Sequence, residues 1–257
     1  MAAGGDVCRR DRDSPIMTAM TTAPTADPAL IDKLVLANRI LYDQGVVDGF
    51  GHVSVRHDRS PVHFLLARNM APALVQRDDI VTFDLEGAAL DANGRRVYLE
   101  RFIHGEIYRA RPDVHAVVHS HSPSVIPFGV TRQPLRPVFH MSGFLGQGTA
   151  LFDIRDTAGD TDMLISSAKL GQALAATLGM RSTVLMRGHG STVVGTSLEQ
   201  AVYRAIYAEV NAKLQMQAMA LGDVTYLNEQ EAAKAATTND TQLARVWELW
   251  SKRIGPV

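Results

Sequence analysis

The sequence predicts one α/β domain, residues 29–257, preceded by a loose N-terminal arm. Three observations carry this reading. The chain has 257 residues, 46% of them apolar, which suits one substantial core. Windows with apolar residues at helical spacing alternate with short runs rich in Val, Leu and Phe. Residues 1–28 instead mix small, polar and Pro residues without an apolar run long enough for a signal-peptide core, so a flexible tail is expected, with Met17 and Met20 as alternative starts.

The elements follow in order. Leu30, Ile31, Leu34, Val35, Ile40 and Leu41 recur at helical spacing, and Gly45 stands where a helix would end. The runs HVSVR (52–56), HFLLA (63–67) and DIVTFD (79–84) read as strands, and Asn93-Gly94 as a turn, which predicts an antiparallel sheet edge. Residues 100–110 read as a helix broken by Arg111-Pro112, and VHAVVHSHS (114–122) as a buried strand. Residues 137–153 lack periodicity and read as a connection lining a site. A helix over 167–179, strands over 182–188 and 192–195, and a long helix over 197–221 follow, with Ser and Thr at its start as caps. One or two helices are expected over 228–252, where Trp247 and Trp250 pack a terminal helix.

Composition excludes several classes. Lys plus Arg number 26 against 27 Asp plus Glu, so no excess charge draws the chain to nucleic acid or an anionic membrane. No stretch reaches the roughly 18 apolar residues of a spanning helix. The single cysteine, Cys8, allows no intrachain disulfide and favours a cytoplasmic setting.

The strongest chemical signal is His119-Ser120-His121 at the end of an apolar strand, where residues two apart share a face and their imidazoles can share an ion. His189 lies between Gly188 and Gly190, which let the backbone bend and bring in a third imidazole. Three histidines leave a coordination position open for substrate. Glu100 and His104 stand four apart on the preceding helix, so both can face the pair; Glu100 reads as a fourth ligand, as an acid/base, or as a charge favoured by the helix dipole. His57, His63 and His115 read as ordinary solvent-facing residues, and Arg187 as an anchor of the glycine turn.

The run LERFIHGEIYRARPDVHAVVHSHSP, followed by RGHGSTVVG and the Ala-rich helix, resembles the class II aldolase/adducin family over roughly residues 28–225, with a Glu nineteen positions before the first His of the pair. The resemblance implies a three-layer α/β/α sandwich around a mostly antiparallel sheet, and a homotetramer with active sites at subunit interfaces. It also implies that His119, His121 and His189 hold a divalent metal and that Glu100 is the acid/base or a further ligand. Zn and Mn suit such donors first, Fe and Co also.

Departures from the family pattern bear on substrate. Sugar-phosphate aldolases of the family carry a G-N-x-S-type segment, a T-P-S-G-type loop and a Ser-Ser pair before the Glu. This chain has Gly51-His52-Val53-Ser54, Ala67-Arg68-Asn69-Met70-Ala71-Pro72 and Tyr98-Leu99 instead. His52 and Arg68 can grip a planar carboxylate, and Tyr98, Leu99, Met141 and Phe144 make the site apolar. His140 is a further substrate contact if its loop lines the pocket. These substitutions resemble the family's decarboxylase branch, so the expected reaction is decarboxylation of an ortho-hydroxylated aromatic or heteroaromatic acid, with Arg68 and His52 holding a second acidic group and Glu100 or His104 managing the proton. The competing readings are an aldolase for a non-phosphorylated hydroxy-keto acid, and a non-enzymatic domain like the head of adducin.

Overall fold

The computed structural model describes Met1 and residues 24–257, so Cys8, Met17, Met20 and most of the expected arm lie outside the described residues. The strands, numbered in chain order, are β1 (His52–Arg56), β2 (His63–Ala67), β3 (Ile80–Asp84), β4 (Ala116–Ser120), β5 (Ala150–Phe152), β6 (Thr183–Met186) and β7 (Gly190–Gly195). The helices are α1 (Pro28–Asp43), α2 (Arg101–Ala110), α3 (Ile126–Val130), α4 (Arg155–Ala158), α5 (Ala168–Leu178), α6 (Leu198–Leu221), α7 (Glu229–Asp240) and α8 (Leu243–Ile254). No helix among the described residues is long and apolar enough to cross a membrane.

One seven-stranded sheet runs in the order β3-β2-β1-β4-β7-β6-β5. Every pairing is antiparallel except that of β5 with β6. Side chains alternate across a strand, so His52 and Ser54 of β1 reach His104 and Tyr108 of α2 on one face, while α1 packs on β1, and α6 on β4 and β7, from the other. Helices α2 and α5 pack together over the first face, and α1, α6 and α8 over the second, which gives the α/β sandwich expected.

Local chemistry sets the element ends. Asp27 caps α1 by accepting from the Ala29 amide and Pro28 opens the helix, while Ser167 and Ser197 cap α5 and α6. Residues just before α1 are packed: Ala26 is buried, and His57 hydrogen-bonds the Pro24 carbonyl at 2.7 Å. His57 is therefore buried, not solvent-facing as its sequence context suggested. Asn93 and Gly94 both take positive φ, as a tight turn there requires.

Two segments differ from expectation. The connection over 137–153 contains the edge strand β5 and a 3-10 turn over His140–Leu145. A parallel edge strand arrives through a crossover and leaves no hairpin signal. Met141 and Phe144 sit in that turn, which packs on α6 and α7, and neither lines the cavity described below. Trp250 is buried and Trp247 partly buried against the core, and Tyr226 stacks on the Arg136 guanidinium at 4.1 Å.

The pairing of β4 with β7 is tight where both approach the site. A Cβ on Gly190 would overlap the Ser120 carbonyl oxygen, and Gly188 adopts a left-handed φ of 64°. Gly190→Ala should push β7 from β4, lowering stability by about 1–3 kcal/mol and weakening metal retention, which thermal melts and metal analysis on the same sample would read together.

Candidate active site

The β1, β4 and β7 registers align one row of residues: His52 pairs with His119, and His119 with Thr192. His121 follows one residue beyond the end of β4, and His189 precedes β7 in the glycine turn. Side-chain alternation and this turn bring three imidazoles together. Nε2 of His121 lies 3.3 Å from Nε2 of His119 and 3.1 Å from Nε2 of His189. With metal–nitrogen bonds of about 2.0–2.1 Å, nitrogens in a tetrahedral site stand roughly 3.3–3.4 Å apart. Ligand atoms of Glu100, His119, His121 and His189 all lie within 4.8 Å of one another. The donor set therefore fits a divalent ion.

Groups behind the ligands orient them. His189 Nδ1 stands 3.0 Å from the Met163 carbonyl, so Nδ1 carries the proton and Nε2 presents its lone pair. Met163 holds a left-handed φ of 70°, uncommon for a residue with a side chain. His119 Nδ1 faces the Thr192 hydroxyl at 3.5 Å. Glu100 Oε2 is 3.6 Å from Nε2 of both His119 and His189, and its Oε1 accepts from the Ile165 amide at 3.0 Å.

Glu100 is the N-cap of α2 with φ −87° and ψ 16°, one residue before the helix proper. The four-residue spacing to His104 therefore does not put both side chains on one helical stripe. His104 faces away from the ligands: Nε2 lies 2.7 Å from His52 Nδ1, and Nδ1 lies 2.6 Å from the Ser54 hydroxyl. Both its nitrogens are occupied, and it reaches the site only through His52.

A cavity of about 300 Å³ opens onto this cluster. Its wall includes His52, Asn69, Tyr98, Leu99, Glu100 and His121, with Phe50 and Leu164 at the side. The Tyr98 ring lies 4.6 Å from that of His52, and its hydroxyl donates to the Met70 carbonyl. Phe50 and Leu99 are exposed, leaving an apolar lip.

Four expected contacts stand elsewhere. Ser54 is fully buried, its hydroxyl shared between His104 and Tyr108, so it supports the wall from behind. Arg68 Nε is ion-paired to Asp79 at 2.7 Å, and the residue does not line the cavity. His104 is internal for the reason given above. His140 is exposed, and its carbonyl accepts from Asn239 at 2.7 Å away from this chain's own cavity. Arg187 pairs with Asp153 at 2.8 Å and anchors the turn. Tyr108 was not anticipated; its spacing of four from His104 on α2 was the available signal.

Burial disfavours the charged form of the histidines. It pushes His104 and His119 down to about 3, against the opposing pull of Glu100, and lowers His52 and His121 as well. For Glu100, burial acts upward, but His119 and His189 beside it outweigh this and hold the carboxyl well below its usual range. His119 and His121 are thus neutral and the Glu100 carboxylate ionised near neutral pH, the state a metal requires.

The chain belongs to the class II aldolase and adducin family: the model of the Class II Aldolase and Adducin N-terminal domain matches residues 32–216. It is 37% identical over 239 residues to decarboxylase tropJ of Talaromyces stipitatus, covering 84% of this chain and 90% of that protein. It is 32% identical to a 3,4-dihydroxyphthalate decarboxylase of Arthrobacter keyseri, covering 79% of this chain and 84% of that one. Among solved structures, the L-fuculose 1-phosphate aldolase of Glaciozyma antarctica superposes with a TM-score of 0.72 at 26% identity, covering 90% of this chain and 94% of that one. These likenesses support a decarboxylase- or aldolase-type enzyme.

Two outcomes test the site. His119→Ala should abolish stoichiometric metal retention, measured by elemental analysis after dialysis, and full metal content in that variant would remove the assignment. The metal-free protein should lose stability as pH falls from about 6.5 towards about 3, because an unfolded chain takes up protons that folded His104 and His119 refuse. Glu100 acts in the same direction, since its folded pKa is depressed and its contribution fades below the unfolded value of about 4.5. Melting temperatures across that range read the effect.

Proposed function

We propose that this chain is a metal-dependent carboxy-lyase acting on an ortho-hydroxylated aromatic or heteroaromatic acid or diacid. The observation that carries the reading is the cavity itself: an apolar and aromatic wall of Phe50, Tyr98, Leu99 and Leu164 opening directly onto Glu100 and His121. A flat ring suits such a wall, and a volume of about 300 Å³ is at the small-ligand end of binding cavities. The similarity to two proteins named as decarboxylases supports the same reaction class.

The residues divide the work. A divalent ion, with Zn or Mn favoured by the donor set, would be held by His119, His121 and His189 and would supply a Lewis acid for the electrons that departing CO2 leaves behind. Glu100, ionised and pinned through Oε1 by the Ile165 amide, takes the proton of the ortho hydroxyl. The bond between ring carbon and carboxylate breaks with its electron pair staying on the ring. Glu100 gives its proton to that carbon, and solvent reprotonates the phenolate product. His52 and Asn69 line the place where a second acidic group would rest, and Tyr98 packs on the ring. Arg68, directed to Asp79, would act only as background positive charge. Assembly into a homotetramer with sites at subunit interfaces belongs to the same reading, and exposed His140 would enter a site from a neighbouring subunit.

The test is CO2 release from hydroxylated phthalates and pyridine dicarboxylates by enzyme loaded with Zn or Mn, against a chelated control. Release only with metal is expected, and Glu100→Gln should slow it by about 10²–10⁴-fold. Pyruvate or an aldehyde from hydroxy-keto acids, with no CO2, would make the chain an aldolase; silence in both assays without bound metal would favour a non-enzymatic role.

A further inference from the structure

Behind His52 lies a chain of buried hydrogen bonds through His104, Ser54 and Tyr108, residues to which the reaction above gives no part. His52 Nδ1 is 2.7 Å from His104 Nε2, His104 Nδ1 is 2.6 Å from Ser54 Oγ, and Ser54 Oγ is 2.8 Å from Tyr108 Oη. Each link admits two directions, but the far end decides between them. Tyr108 is 1% exposed, burial raises the pKa of its phenol, and its hydroxyl meets two groups, the Val117 backbone amide, which can only donate, and Ser54 Oγ, its one acceptor among the described residues. If Ser54 donated to Tyr108, the phenolic hydrogen would be buried without an acceptor, which buried polar groups in folded proteins rarely tolerate. Tyr108 therefore donates to Ser54.

The rest follows link by link. Ser54 has one hydrogen, so it donates to His104 Nδ1. A neutral His104 then carries its hydrogen on Nε2 and donates to His52 Nδ1. Because His52 Nδ1 accepts that hydrogen, its own ring hydrogen stands on Nε2. That nitrogen has no partner among the described residues, while the ring lines the cavity beside Glu100 and His121.

We propose that His52 is a substrate-binding donor whose Nε2–H tautomer is fixed by His104, Ser54 and Tyr108, and that it selects a substrate oxygen able only to accept, such as a carboxylate. Within the decarboxylase reading this assigns the second acidic group of a diacid to His52. His104, Ser54 and Tyr108 are positioning residues, acting through His52 without touching substrate. A ring free to flip its tautomer would present a lone pair to that carboxylate and repel it.

Two measurements on the full-length zinc-loaded protein test the proposal, and neither needs turnover. Nitrogen-15 spectra of the histidine rings should show His52 protonated at Nε2 and unprotonated at Nδ1. Calorimetry with phthalate, an ortho diacid without the hydroxyl that the reaction needs, should show binding weakened about tenfold in His104→Leu, or about 1.4 kcal/mol. His104→Gln, whose amide can still donate to His52 Nδ1, should bind more tightly than His104→Leu and keep the His52 tautomer. A His52 hydrogen on Nδ1, on both nitrogens, or equal affinities in the two variants would overturn the proposal. If His104→Leu fails to fold, the parent tautomer and the Gln variant still decide it. Phthalate binding with the expected tautomer but no CO2 release from any diacid would defeat the reaction assigned above and leave the donor standing.

Discussion

The pairing of β4 with β1 on one side and β7 on the other is the constraint from which the site follows. A shift of one residue in either register would turn His52 or Thr192 to the opposite face, towards α1 and α6, and dismantle the row that meets at His119. The contact of Gly190 with the Ser120 carbonyl fixes this register at the end that matters, because no side chain can intervene there. His121 and His189 leave their strands on either side of that contact, so their separation is set by backbone packing. The four side chains that could hold an ion therefore stand together through backbone packing alone, an arrangement that would limit the reorganisation metal binding requires.

Electrostatics supports the same arrangement. Rings that burial keeps neutral and a carboxylate that its neighbours keep ionised have the protonation state for holding a dication. Glu100 is itself buried beside this centre, so charges near it are less screened than they would be in water.

Much of this was legible in the sequence because it depends on short-range periodicity. Two residues apart on a strand means one face, and this placed His119 beside His121. Glycines flanking His189 announced a sharp turn, although the two act differently: Gly188 through its left-handed φ, Gly190 through lack of space. The spacing of Glu100 and His104 misled, since Glu100 is a cap outside the helical stripe and His104 turns instead to β1. Arg68 read as a carboxylate fork, but its partner Asp79 is fixed by the pairing of β2 with β3 and by a 3-10 turn, which spacing does not reveal. Strand β5 and the burial of Ser54 were hidden for the same reason, being products of tertiary contact.

The short loop before α5 holds the site in an unusual division of labour. Met163 grips His189 through its carbonyl, and Ile165 grips Glu100 through its amide, both by main-chain atoms. Between them, Leu164 turns its side chain to the cavity. Glu100 and His189 are thus anchored by atoms that every amino acid shares, while the one variable group lines the cavity. A loop built this way allows the shape of the cavity wall to change by single substitutions at its centre while the main-chain bonds to His189 and Glu100 on either side stay as they are.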